Sequence, residues 1–128
     1  MKEWGIIAKI TLTDVINHKD FILALGAFLD EFRRSSNKYE LIAMPPNPKV
    51  TSVDMENLCI LAATAHKLAN DYNITIPSWV HDPLYKMPYP VFAFHTTNKD
   101  YQEFLLQDTP PEFASKNIFH GSNAIKRA

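Results

Sequence analysis

The stretch SVDMENLCILAATAHKLANDY, residues 52–72, decides the fold class of this chain. Its apolar side chains recur every three or four residues, which places them along one face of an α-helix: Leu58, Leu61, Ala65, Leu68 and Tyr72. Small residues lie between them and favour the close approach of a neighbouring helix. We therefore predict a helix over residues 52–72, capped by Thr51 or Ser52 at its start and by Asn73 at its end.

The sequence before this stretch carries a second helical pattern. A helix over residues 20–35 is predicted by apolar side chains at the same spacing: Phe21, Leu25, Phe28 and Phe32. A shorter helix fits residues 38–44, because the prolines that begin at Pro45 cannot continue it. Residues 6–11 fit either a strand or a helical lead-in, so residues 1–11 are left as an N-terminal arm.

The sequence after the central stretch begins with an irregular segment. Residues 74–94 are rich in aromatic residues and in prolines that forbid a long helix, so we expect a long loop pinned to the core. Thr97 then fits the cap of a helix whose inward side chains are Tyr101, Phe104 and Leu105. Thr109 fits the cap of another, with proline in its first turn and a buried Phe113. Residues 121–128 predict a loose tail.

Length and composition fit one globular domain. The chain has 128 residues, 46% hydrophobic and 21% charged, so it can bury a core without metal or disulfide crosslinks. We predict a mainly α fold, a single-domain bundle over residues 1–128 of about four to six helices with the long irregular segment among them. A lone cysteine and the lack of any apolar run of about 20 residues favour a cytoplasmic protein that does not span a membrane. The net charge of −1 gives no sign of a basic surface for nucleic acid.

The sequence shows no recognisable catalytic centre. No two of the five histidines are spaced as a helical zinc pair, Cys-x-x-Cys is absent, and the three glycines are isolated. We therefore predict no metal and no cofactor. Cys59 and His66 lie on the central helix and are interpreted as core filler and a helix-face residue. His81 and Asp82 could serve acid–base chemistry, but adjacent side chains rarely face each other, and Asp82-Pro83 is typical of a turn.

The aromatic series within residues 74–94 is the most distinctive feature of the sequence. Aromatic side chains are enriched at protein interfaces, which makes five residues of this segment candidates for partner binding: Trp79, His81, Tyr85, Tyr89 and Phe92. Core anchoring explains the same aromatic side chains without a partner, and both interpretations stay open.

Several motifs resemble those of a group of small helical bacterial proteins. The motifs are the alanine-rich LAATAHKLA at 61–69, PSW at 77–79, TPPEF at 109–113 and KNIF at 116–119. Such proteins accompany a nucleotidyltransferase-like protein in arrangements that resemble toxin–antitoxin pairs, so the resemblance implies an antitoxin-like protein with that kind of partner. The chain departs from the group where threonine replaces the usual serine and where His120-Gly121 replaces a valine or acidic residue. The group offers no catalytic residue to carry across.

These observations favour a non-enzymatic protein-interaction module over two alternatives. The leading hypothesis is the antitoxin-like component of a bacterial pair, bound to a protein partner. The first alternative is a DNA-binding transcriptional regulator, with phosphate contacts from basic side chains: Arg33, Arg34, Lys67 and Lys116. The second is a small enzyme that uses His81 and Asp82. The sequence leaves the formation of a homo-oligomer open.

Overall fold

The computed structural model describes residues 10–49 and 54–125. These ranges are mainly helical, which confirms the predicted fold class. They contain six α-helices: α1 (Leu12–Asn17), α2 (Phe21–Arg34), α3 (Lys38–Ile42), α4 (Met55–Asp71), α5 (Lys99–Asp108) and α6 (Pro111–Ala114). They also contain two short strands and three 3₁₀ helices: β1 (Val91–Phe92), β2 (Ile118–Phe119), Ser78–His81, Pro83–Tyr85 and Ala93–His95. No helix in the described part of the chain is long and apolar enough to cross a lipid bilayer.

Helix α4 forms the centre of the core. Every residue from Leu58 to Ala65 is buried, so the helix is enclosed on all sides and not only along the face that its spacing predicts. Helices α1 and α6 and the first two 3₁₀ helices pack against it. The alanines of α4 make this possible, because side chains that end at Cβ let several neighbouring backbones approach closely.

The boundaries of α2 are confirmed to within one residue. Asp20 caps the helix, since its Oδ1 accepts the N–H of Leu23 at 3.1 Å, and Ser35 follows its last turn. Phe28 and Phe32 are fully buried, as their spacing predicts. Local signals at both ends of this helix therefore agree with the packing.

The two ends of α4 differ in how well the sequence marks them. The helix begins at Met55, three residues later than predicted, and its cap is Asp54, whose carboxylate accepts the N–H groups of Glu56 and Asn57; the residues predicted as caps, 51 and 52, lie outside the described residues. At the other end Asn73 has φ 57°, and the N–H of Ile74 donates to the carbonyl of Ala69 at 2.9 Å. This pattern is a Schellman motif with asparagine in the left-handed position, which confirms the predicted C-terminal cap.

Three predictions for α5 and α6 were wrong. Asn98, not Thr97, caps α5, since its side chain accepts the N–H of Tyr101 at 2.9 Å. Tyr101 and Phe104 are exposed, and Leu105 is the buried residue of this helix. Thr109 does not cap α6 by its side chain; its hydroxyl accepts the N–H of Gly121 at 2.9 Å. The spacing identified residues that share a face of α5, but the described chain covers only the part of that face around Leu105.

The irregular segment is fixed by a short parallel bridge that the sequence did not predict. Val91 pairs with Ile118 and Phe92 with Phe119. The side-chain amide of Asn117 donates to the carbonyl of Met87 at 2.8 Å, and Asn117 itself has φ 63°. These bonds hold the end of the aromatic segment against the residues that follow α6.

The chain ends are partly packed. Ile125 is buried, so residues 121–125 lie on the core and do not form the loose tail that the sequence predicted. Thr11 caps α1 through reciprocal hydrogen bonds with Asp14. Of the predicted N-terminal arm, residues 1–9 lie outside the described residues, as do residues 126–128 of the tail.

Candidate functional site

Two of the five candidate partner-binding residues are built into the core. The indole Nε1–H of Trp79 donates to the carbonyl of Ile42 at 2.9 Å, which ties the aromatic segment to α3. Tyr85 is 6% exposed, and its ring meets that of Trp79 edge-on with centroids 5.3 Å apart. In this conformation the ring of Tyr85 is unavailable to a partner. Trp79 and Tyr85 therefore anchor the aromatic segment to the core, the alternative to partner binding that the sequence left open.

The other three candidates do not form one surface with them. Phe92 is half-buried, with its ring centroid 5.7 Å from that of Phe119. Tyr89 is exposed, and so is His81, whose ring lies edge-on to His66 at 5.2 Å. The structure therefore distributes the five candidates between the core and the surface.

The acid–base hypothesis for residues 81 and 82 finds no support in the geometry. Oδ1 of Asp82 accepts the N–H of Leu84 at 2.9 Å, which starts the second 3₁₀ helix as a turn residue would. Cys59 is fully buried, and burial raises the pKa of its thiol to about 11, so it is a poor nucleophile. The described residues contain no group of three or more histidine, cysteine or carboxylate side chains placed to hold a metal ion.

The basic side chains proposed for DNA contacts are largely engaged within the fold. Lys116 is buried, its ammonium donates to the carbonyl of Val80, and burial lowers its pKa. Lys67 lies 3.0 Å from a carboxylate oxygen of Asp71, and Arg34 lies 3.1 Å from one of Glu31. These partners compete with phosphate, so the geometry does not favour a nucleic-acid surface here.

An exposed apolar surface is formed instead by α2, α5 and the third 3₁₀ helix. We call it the Phe94 surface and define it by four exposed side chains: Ile22, Phe94, Tyr101 and Phe104. They line a depression of about 560 Å³. Phe94 is 90% exposed and Phe104 56% exposed, while the rings of Tyr101 and Phe104 stack with centroids 6.4 Å apart. Adjoining exposed aromatic side chains are typical of a site that another molecule covers.

The backbone holds Phe94 in solvent at an energetic cost. Phe94 and His95 both have positive φ, 57° and 51°, a conformation that costs a residue with a side chain about 1–2 kcal/mol. The turn is closed by the N–H of Thr96, which donates to Ala93 at 3.2 Å. The side-chain amide of Gln102 then donates to the carbonyl of Thr96 at 2.8 Å. Backbone conformations of this kind cluster at functional segments.

The charges beside this surface have one dominant sign. Helix α5 carries three carboxylates, Asp100, Glu103 and Asp108, against the single ammonium of Lys99. Asp108 also lines the depression beside Phe94. A partner with basic groups around an apolar centre therefore complements this surface, and a polyanion does not.

A second, smaller cleft lies on the other side of His95. We call it the Glu56 cleft; it has a volume of about 330 Å³ and its lining includes Glu56, Met87, Tyr89, His95 and Gln102. Glu56 Oε1 lies 3.6 Å from Nε2 of His95, and its Oε2 lies 3.5 Å from Nε2 of His120. Burial lowers the pKa of His120, and the nearby Glu56 carboxylate opposes that shift. Glu56 thus lies between two imidazoles, of which His95 lines the cleft and His120 lines the depression beside Phe94.

Local sequence patterns mark these residues only in part. Aromatic side chains interleaved with carboxylates at 100–108 indicate a helix with a polar face, and they could have suggested that Tyr101 and Phe104 are exposed. The positive φ at Phe94 has no local signal such as glycine. Glu56, His95 and His120 are far apart in the chain, so no spacing rule brings them together.

Comparisons with protein-family models, with curated proteins and with solved structures found no match to this chain.

Proposed function

We propose that this protein is a non-enzymatic interaction module that binds a protein partner through the Phe94 surface. The observation that carries the proposal is the side chain of Phe94, which is 90% exposed and fixed there by two consecutive residues with positive φ. A rigid, solvent-exposed aromatic ring loses little conformational freedom on binding, so it is suited to act as an anchor at the centre of an interface.

The partner is a protein segment with apolar side chains flanked by lysine or arginine. Apolar groups would cover Phe94, Phe104 and Tyr101, and basic groups would meet the carboxylates of α5. A second copy of this chain fits less well, because two α5 helices facing each other would bring like charges together. The resemblance to antitoxin-like proteins supports the same class of function and suggests a nucleotidyltransferase-like partner.

The proposal is tested by affinity purification of the tagged protein from its native cells, with quantitative mass spectrometry. Phe94→Ser and Phe104→Ser should each reduce the recovery of a stoichiometric partner about thirtyfold or more, as loss of an interface anchor does. Leu84→Ser is the matched control, since Leu84 is 54% exposed and lies outside the Phe94 surface. Circular dichroism confirms that each variant is folded.

Two outcomes contradict the proposal. Recovery of the same partner by wild type and by both phenylalanine variants would place the interface elsewhere. Equal loss with Leu84→Ser would mean that the capture reflects general surface hydrophobicity. A light-scattering mass measurement distinguishes a second copy of the chain, which would replace a foreign partner as the occupant of the surface.

A further inference from the structure

The Glu56 cleft has the composition of a site for an organic cation. Its lining holds one carboxylate and no lysine or arginine, and its walls combine polar groups with apolar and aromatic side chains, Met87, Tyr89 and Phe92 among them. Its volume of about 330 Å³ is at the lower end of the range for ligand sites, which suits one side chain or a small amine.

The carboxylate of Glu56 lacks a permanent cationic partner in the described part of the chain. Its ion-pair contacts there are His95 and His120, at 3.6 Å and 3.5 Å. Burial lowers the pKa of His120, so this imidazole is neutral at neutral pH and does not balance the carboxylate. The side chain of Glu56 is only 20% exposed, and a largely buried charge of this kind is stabilised by any cation that reaches it.

Two neighbours add to the recognition of a cation. Nε2 of Gln102 donates to the carbonyl of Thr96 at 2.8 Å, which leaves the amide oxygen of Gln102 as an acceptor. The exposed ring of Tyr89 also lines the cleft, and an aromatic face attracts a cation through its ring quadrupole. An ammonium or a guanidinium group can use a carboxylate, an amide oxygen and an aromatic face together.

We infer that the Glu56 cleft binds the ammonium or guanidinium group of a lysine or arginine side chain. His95 lines this cleft and the adjacent Phe94 lines the other depression, so one partner segment can reach both. The assignment of that side chain to the protein partner rests on the proposed function, whereas the affinity of the cleft for the cation does not.

The chemistry also predicts a dependence on pH. Protonation of His120 supplies Glu56 with an internal cation at 3.5 Å, which competes with the bound one. Besides the imidazoles of His95 and His120, the phenol of Tyr89 lines the cleft, and the buried thiol of Cys59 interacts electrostatically with Glu56. Because burial lowers the pKa of His120 from 6.5, binding of the cation is insensitive to pH near neutrality and weakens as the pH falls below about 6.5.

The test is an NMR titration of the ¹⁵N-labelled protein with Nα-acetyl-lysine methylamide and Nα-acetyl-arginine methylamide. The neutral norleucine analogue is the matched probe, because it has the same apolar stem as lysine without the charge. We expect shifts at the amides of Tyr89 and Gln102 with the charged probes and none with the neutral one. Glu56→Gln should weaken binding about tenfold or more, the loss of a charge-assisted hydrogen bond.

Glu103→Gln is the control variant, since it removes an exposed carboxylate of α5 that does not line the cleft, and it should leave binding unchanged. Equal shifts with the norleucine probe, or unaltered binding by Glu56→Gln, would overturn the inference. The Phe94→Ser variant distinguishes the cation site from the proposed partner-binding surface. This variant should bind the charged probes as the wild type does but should lose the protein partner. Loss of the partner with no response to the probes would reject the cation site and leave the proposed function standing.

Discussion

Replacement of Trp79 by phenylalanine tests whether the aromatic segment serves the core or a partner. From the sequence, Trp79 was predicted as a candidate partner-binding residue. In the structure its indole N–H donates a hydrogen bond to the carbonyl of Ile42 at 2.9 Å. Phenylalanine keeps an aromatic ring at this position but has no donor. If the structural role is right, Trp79→Phe lowers the stability of the fold.

The size of this effect follows from two losses. The carbonyl of Ile42, in a residue that is fully buried, would be left without its donor, at a cost of about 1–3 kcal/mol. The smaller ring also gives up part of its packing against Tyr85, which adds about 1–2 kcal/mol. We expect the free energy of unfolding to fall by about 2–5 kcal/mol, which lowers the melting temperature by roughly 10 °C or more.

Urea unfolding followed by far-ultraviolet circular dichroism measures this change directly. Tyr89→Phe is the control in the same segment, because Tyr89 is exposed and its variant should stay within about 0.5 kcal/mol of wild type. A loss of less than about 0.5 kcal/mol for Trp79→Phe would refute the reasoning, since it would mean that the hydrogen bond to Ile42 contributes nothing.

Three further predictions concern buried groups. Burial lowers the pKa of His66 and of His120 from 6.5, so below that pH the unfolded chain binds more protons than the folded chain. The free energy of unfolding should therefore be constant above about pH 6.5 and fall below it. Urea unfolding midpoints measured across pH check this. Burial raises the pKa of Cys59 to about 11, so a thiol reagent should label it only at the rate of unfolding, and rapid labelling of the native protein would contradict this. Gly121→Ala should lower the free energy of unfolding by about 1–2 kcal/mol, because φ at this residue is 87° and the new Cβ would lie 3.3 Å from the side chain of Leu105. Asn123→Ala is the control, since Asn123 is exposed, and it should leave thermal unfolding unchanged.

The sequence predicts the helices where local and long-range signals coincide. The bounds of α2 are within one residue of the prediction, because its apolar face, its capping Asp20 and the final Ser35 all act within the segment itself. Asn73 was predicted as the end of α4 for the same reason, since asparagine tolerates the left-handed conformation that it adopts. A cap or a helical face is encoded by residues a few positions apart.

The candidate site was not predictable because its parts meet only in the folded chain. The spacing of Tyr101 and Phe104 shows that they share a face with Leu105, but spacing cannot tell whether another element covers that face. Glu56 and His95 come from α4 and the third 3₁₀ helix, and they are brought together by packing that no motif records. The strained turn at Phe94 directly follows β1, which pairs with residues far along the chain, so no local motif marks it.

Helix α5 supplies the strongest argument that the exposed aromatic side chains serve binding. Leu105 is its one buried side chain, and the N–H of Ser122 donates to Asp108, which attaches the end of the helix to the chain that follows; the side chain of Asn98 caps only the helix's own first turn. Exposed rings at Tyr101 and Phe104 add nothing to that attachment, and apolar area left in water favours aggregation. In the interaction that we propose, a partner covers these rings and removes their apolar area from water.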